Sequence, residues 1–217
     1  MGSGSNRRAL KDGNFITLEG GEGSGKTTQT QLLHDSLISA GIETIITREP
    51  GGTPQSEEIR SLLVSGESKR WEPLTESLLH FASRNEHLVK VILPTLQAGK
   101  WVICDRFFDS TMAYQGYAMN VDRQKIGALA KMTMGKFAPD LTLILDIPES
   151  KGLVREEGLS SEDRYNKMGA SFHKKVRMAF REIASQEPER CKIIDASKGI
   201  QEVHNSIWLQ VKAKFNL

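Results

Sequence analysis

The chain has 217 residues, 38% of them hydrophobic, which suits one domain with a buried core. Its 29 basic and 27 acidic residues leave a net charge of +2, so neither a nucleic-acid footprint nor a basic membrane patch is expected, and no apolar run reaches membrane-spanning length. Two cysteines, Cys104 and Cys191, suit a reducing cytoplasm, and Cys104 sits in an apolar run as an inert buried thiol would.

In chain order, residues 1–13 lack the apolar middle of a signal peptide and are expected to be a disordered leader or an expression remnant. The single domain is expected over residues 14–217. FITLEG, from residue 15, is a short apolar strand, and TTQTQLLHDSLIS is a helix over residues 27–39, ending near Gly41. The loop between them holds Gly20, Gly25, Lys26 and Thr27 at the spacing G-x-x-x-x-G-K-[ST]. Glycines let consecutive N–H groups turn toward one point, and the helix start adds unpaired N–H groups and partial positive charge. The loop is therefore expected to hold a nucleoside triphosphate through Gly20, Gly21, Glu22, Gly23, Ser24, Gly25, Lys26, Thr27 and Thr28. Lys26 should reach the β- and γ-phosphates, and the Thr27 hydroxyl should face Mg²⁺.

Farther along, ETIITREP is a second strand running into PGGTPQ, and SEEIRSLLVS is a helix. EPLTESLLHFASRNEHLVKVILPTLQAG is apolar at helical spacing throughout. WVICD is a buried strand, STMAYQGYA starts a helix, and DRQKIGALAKMTMG continues the helical stretch. LTLILDI and CKIIDA are further strands, each followed by a helix. Continuous apolar strands alternating with helices predict an α/β fold of three layers, a parallel sheet covered on both faces. The polar, Ser- and Gly-rich segment at about residues 152–169 interrupts the pattern and reads as a short surface lid. Ligands of such sheets bind beyond the carboxyl ends of the strands. TREPGGT and DRFFDSTMAYQG, which bring arginine and carboxylate to that edge, are thus the segments to read for an acceptor, and Arg84 can add a third group.

EGGEGSGKTT, TREPGGT, LLHFASR followed by HLVKVILPTL, and DRFFDSTMAYQG together resemble the bacterial thymidylate kinases, with FAPDLTLILDI and IIDAS in the same order. The resemblance runs from about residue 14 to the C-terminus. It implies transfer of the γ-phosphate of ATP to dTMP, with Mg²⁺, by a cytoplasmic homodimer formed through helices. Asp105 and Arg106 would sit between the two phosphates, Asp105 with Thr27 on the metal side and Arg106 touching the acceptor phosphate. Arg84 would hold the thymine edge and Phe81 would stack on the base, unless its neighbour His80 takes that place. Glu49, Pro50, Ser110, Thr111, Tyr114 and Gln115 would complete the dTMP site, and Asp195, Ala196 and Ser197 would lie beside adenine.

Two features depart from that family's pattern. Phe107 stands where Tyr or His often follows the DR pair. Relatives with a glutamate at the place of Glu22 usually carry several lid arginines, whereas this segment has only Arg155 and Arg164. Either or both would close over the γ-phosphate. Kinases of guanylate or shikimate share the architecture but not TREPGGT and AYQG. A GTPase would need N-K-x-D, and the nearest text, NKMG at residues 166–169, ends in Gly. A partner-driven ATPase would hydrolyse ATP with no small acceptor.

Overall fold

The computed structural model describes residues 13–157 and 164–217. Most of the expected leader, residues 1–12, and the middle of the expected lid lie outside the described residues. Five parallel strands form one sheet: β1 Phe15–Glu19, β2 Thr44–Arg48, β3 Trp101–Asp105, β4 Leu141–Asp146 and β5 Cys191–Asp195, in the order β2-β3-β1-β4-β5. Successive residues of a strand face opposite sides, and here both sides are apolar. Phe15, Val102 and Cys104 pack against Leu88 and Ile92 on one face. Ile16, Leu18, Ile103 and Leu143 pack on the other against Leu33 and Leu37 of α1, Lys26–Ser39, and Ile207 and Val211 of α9, Ile200–Phe215. Fully burying such a side chain contributes roughly 1.5–3 kcal/mol, so two covered faces follow from central strands that carry apolar residues on both sides.

The parallel arrangement gathers the carboxyl ends of all five strands at one edge. Each strand ends there in a charged residue: Glu19, Arg48, Asp105, Asp146 and Asp195. Pairing sets Arg48 opposite Asp105 and Asp146 opposite Asp195, with Glu19 opposite Ile144.

The helices on this scaffold start where local chemistry directs. In α2, Pro54–Val64, Pro54 fills the first turn and the Thr53 hydroxyl accepts the Ser56 N–H at 3.0 Å. The long apolar stretch predicted as one helix is α3, Pro73–His87, a π-helical turn at Leu88–Ile92, and α4, Leu93–Gln97. Pro94 carries no N–H and cannot complete the bond one turn back, so the backbone widens before it. DSTMAYQGYA likewise divides into α5, Phe108–Thr111, and a π-helical stretch, Met112–Ala118, ahead of α6, Arg123–Met134. α7, Glu149–Glu157, extends helix into the expected lid, a 3₁₀ turn at Arg164–Lys167 ends that lid, and α8 follows at Ala170–Gln186. Beneath α5, Arg190 forks onto Asp109 at 2.7 and 2.9 Å and also donates to Thr142, fixing α5 to β4 and β5.

Candidate active site

A cleft of ≈ 1100 Å³ runs along the carboxyl edge of the sheet, from the glycine loop and the start of α1 past Asp105 and Arg106 to His80, Gln115 and Tyr165. Its phosphate-loop end is built on glycine backbone. Gly20 has φ 140°, and a Cβ there would lie 2.5 Å from the Leu145 carbonyl oxygen. Gly23, at φ 64°, touches α7 so closely that a Cβ would lie 1.9 Å from the Gly152 carbonyl oxygen. Lys26 Nζ donates to the Gly21 carbonyl at 2.8 Å and the Gly20 carbonyl at 3.3 Å, and the Ser24 hydroxyl lies 3.3 Å away. Burial and the nearby Arg106 charge lower its pKa from the ordinary value. The Thr27 hydroxyl donates to Asp105 at 3.0 Å, so the last residue of β3 meets the first turn of α1.

Arg106 sits one residue past β3 with φ 67°, a left-handed conformation that an L side chain occupies at a cost of about 1–3 kcal/mol. Its N–H is tied to the Leu18 carbonyl at 2.9 Å. The guanidinium donates twice to Glu22, at 2.9 and 2.8 Å, and to the Gly20 carbonyl at 2.9 Å, and lies 5.3 Å from the centre of the Tyr114 ring. Burial alone would raise the Glu22 pKa, but Arg106 and Lys26 outweigh it and hold it at about 2. Glu22 also accepts the Tyr114 hydroxyl at 2.8 Å, so one carboxylate meets both Arg106 and Tyr114.

The other end is a buried polar frame. Arg84 is sandwiched between Phe81 and Phe107, its guanidinium carbon 5.1 and 5.2 Å from the ring centres. It donates Nε to Glu49 at 2.7 Å and Nη2 to Thr111 at 3.0 Å, and Glu49 also meets His87 Nδ1 at 3.0 Å. Arg84 Nη1 and Gln115 Oε1, one donor and one acceptor, are buried and have no hydrogen-bond partner among the described residues; Gln115 lines the cleft, whereas Arg84 stands behind its lining residues Glu49 and Thr111. His80 lines the cleft 3.1 Å from the Tyr165 hydroxyl, and burial together with the Arg84 charge lowers its pKa to about 3, leaving a neutral ring.

Several expected site residues stand elsewhere. The Phe81 ring, 2% exposed, packs with Phe108, Ile126 and Ala130 beneath Arg84 and does not line the cleft; His80, one position earlier on α3, does. Arg164 is fully buried and not over the phosphate loop. It pairs with Glu76 of α3 and donates to the carbonyls of Leu63 and Ser68. Arg155, on α7, lines the cleft and donates to the Ala196 carbonyl at 3.1 Å. Of the three residues expected beside adenine only Ala196 lines it, because Asp195 and Ser197 close a turn on each other at 2.6 Å. Glu49, Pro50, Ser110 and Thr111 all border the cleft, but the carboxylate of Glu49 is spent on Arg84 and His87.

Glu19 was not among the expected site residues. It ends β1 fully buried, where burial and Asp109 raise its pKa to about 7, and it accepts the Phe107 N–H and the Ser110 hydroxyl. Its place at the carboxyl end of β1 was its signal, one shared by the charged ends of the other four strands. Glu76 and Tyr165 also carry the acceptor end, yet their connection is made 89 residues apart. No local pattern announces it.

Comparison with known proteins places the chain in a family. A family model described as thymidylate kinase matches residues 18–207. A thymidylate kinase of Afipia carboxidovorans is 49% identical over 199 residues, covering 90% of this chain and 87% of that one. One from Caulobacter vibrioides is 47% identical over 198 residues, covering 91% and 95%. The crystal structure of a thymidylate kinase from Ehrlichia chaffeensis superposes with a TM-score of 0.74 at 37% identity, covering 92% of this chain and 99% of that one.

Proposed function

We infer the roles of the individual residues from one premise: the chain belongs to the thymidylate kinase family, and so transfers the γ-phosphate of ATP to dTMP, giving dTDP and ADP. The observation that carries the reading is the polarity of one continuous cleft. Cations crowd its phosphate-loop end, and at the other Gln115 lines it with an unpartnered acceptor, while the unpartnered donor of Arg84 is held behind Glu49 and Thr111 of the lining.

ATP phosphates lie in the glycine loop with Lys26 on the β- and γ-oxygens, and adenine lies against Ala196. Arg106 stands between the two nucleotides. It exchanges part of its pairing with Glu22 for the acceptor phosphate, and its strained, strand-anchored backbone keeps it aimed. Two clustered anions repel, so Lys26 and Arg106 lower the barrier by neutralising charge as it spreads over the moving phosphoryl group. Residues 152–169 act as the lid. Within it Arg155 is placed to follow α7 toward the phosphates, while Arg164 anchors the lid's return.

Arg84 Nη1 and Gln115 Oε1 read the thymine edge, and His80 stacks on the ring. Thr27 and Asp105 supply hard oxygens 3.0 Å apart, which suits Mg²⁺, and no cluster of three or more ligating side chains occurs among the described residues. Thr27 and Asp105 would help hold Mg²⁺ together with the nucleotide, and the ion would supply charge neutralisation at the phosphates.

Leu74 and Leu78, about one turn apart on α3, are exposed. They support a homodimer through helices, which sedimentation can measure. No described helix is long and apolar enough to cross a membrane, which is compatible with a cytoplasmic enzyme. The function is tested by an ADP-release screen across nucleoside monophosphates. dTMP should give the highest kcat/KM, and dUMP, lacking one methyl, should fall roughly 10–200-fold below it. A faster reaction with GMP or CMP overturns the assignment.

A further inference from the structure

We infer that Glu76 is a positioning residue that sets which base the acceptor end takes, by fixing the orientation of the Gln115 amide. This rests on the dTMP reading of the site and adds a specificity device to it.

Glu76 lies on α3, about two turns before Arg84, and is 1% exposed. Its oxygens take Arg164 Nη2, the Tyr165 hydroxyl at 2.6 Å and Gln115 Nε2 at 2.7 Å. A carboxylate only accepts hydrogen bonds, so the group Gln115 turns toward it must be the NH₂. An amide is planar, and committing its nitrogen aims its oxygen the other way. Gln115 Oε1 is accordingly the buried atom without a partner among the described residues, on a side chain that lines the cleft. Without Glu76 the amide could turn over and offer either group.

The same carboxylate orders its neighbours. The Tyr165 hydroxyl spends its proton on Glu76, so toward His80 Nε2, 3.1 Å away, it can only accept. That places the ring proton of the neutral His80 on Nε2. Arg164 brings the 3₁₀ turn at the end of the lid onto this carboxylate, so the lid's return and the base wall share one anchor.

The chemical consequence is a fixed order of donor and acceptor. Arg84 Nη1 donates and Gln115 Oε1 accepts. A base edge with a carbonyl beside an N–H, as in thymine and uracil, is matched. Cytosine offers an amino group beside a bare ring nitrogen, so donor meets donor and acceptor meets acceptor. A site that leaves such groups unpaired rejects the mismatch strongly.

Glu76→Gln keeps the shape and lets the Gln115 amide reverse. Steady-state kinetics with dTMP and dCMP, beside wild type, should show the dTMP-to-dCMP ratio of kcat/KM falling at least tenfold. The loss for dTMP should appear in KM, with kcat within about threefold. Tyr165→Phe, which keeps the Glu76 to Gln115 bond, should leave the ratio unchanged. In a Gln115→Met background the Glu76 substitution should no longer move the ratio. A folded Glu76→Gln that retains the wild-type ratio overturns the inference while leaving dTMP kinase activity in place. Wild type preferring dCMP would instead remove the functional reading beneath it. If circular dichroism shows Glu76→Gln unfolded, side-chain amide exchange in the wild type decides. The Gln115 NH₂, assigned by its loss in Gln115→Met, should exchange at least tenfold more slowly than that of exposed Gln97. Equal rates overturn the inference.

Discussion

The two ends of the cleft solve opposite problems. At the phosphate-loop end, cations are paired with groups that a phosphate can replace: Lys26 with loop carbonyls, Arg106 with Glu22 at 17% and 15% side-chain exposure. At the base end, charges are paired with partners nothing replaces: Arg84 with Glu49 at 2% and 3%, Arg164 with Glu76 at 0% and 1%. Exchangeable pairs lend charge to a transition state, whereas locked pairs hold a shape. An arginine at each end can therefore look alike in sequence and behave differently when removed. The first should cost rate and the second stability.

Arg164→Ala separates the ends most sharply and should have the largest effect. Removing one partner of a buried pair leaves an uncompensated charge and typically costs 3–5 kcal/mol, or about 10 °C in Tm for a chain of this size. Denaturant melting measures it, and kcat per folded molecule should stay near wild type. A drop in kcat of about 10³-fold without a stability loss would return Arg164 to the phosphoryl group.

Lys26→Ala should do the reverse. Losing one preorganised charge costs about 3–4 kcal/mol of transition-state stabilisation, some 10²–10³ in kcat. Stability should change little, and dTMP affinity by calorimetry should be near normal. A collapse of dTMP binding in the folded variant would place Lys26 at the wrong end.

The same contrast explains what the sequence made legible. The phosphate loop and the DR pair are local, because consecutive backbone groups and one strand end must converge, and a spacing records that. Five apolar strands made the covered parallel sheet readable for the same reason. The base end is assembled from α3, α5 with its π-helical extension, and the lid's return. Glu76, Tyr165 and Arg164 meet only through folding, so Arg164 read as a surface lid cation and Glu76 did not stand out. Phe81 and His80 show a finer limit. Both lie on one apolar helix, and which faces the cleft depends on the phase of α3, where one residue turns the side chain by about 100°.

Between the two ends stands Glu19, holding the backbone of Phe107 and the hydroxyl of Ser110. Burial and Asp109 raise its pKa from 4.5 to about 7. Between those values the folded chain binds a proton that the unfolded chain has lost, so this group's contribution falls as pH rises from 4.5 to 7 and is flat above. The span corresponds to about 3 kcal/mol. Glu19→Gln should remove that slope, so wild type, melted at pH 5 and pH 8, should lose roughly 2–3 kcal/mol relative to the variant, since part of the span lies below pH 5. Parallel curves would mean that Glu19 is ionised throughout, supported by Arg106 across the junction.

The smallest expected effect tests the base end alone. His80 lines the cleft as a neutral ring, and Phe81 lies beneath Arg84 in the core. An aromatic stack contributes about 0.5–1.5 kcal/mol beyond burial, so His80→Ala should raise the dTMP KM about fivefold and leave the ATP KM unchanged. His80→Phe should restore most of it, because a phenyl ring keeps the π face. Phe81→Leu is a near volume-conserving change in a packed cluster and should cost less than about 1.5 kcal/mol of stability with little change in KM. The two substitutions thus divide along the same line as the arginines, one residue touching ligand and its neighbour holding the wall. KM measurements at saturating ATP, with a thermal melt of each variant, decide it. If Phe81→Leu raises the dTMP KM and His80→Ala does not, α3 is rotated by one position from the arrangement described, and Arg84 Nη1 no longer faces the base.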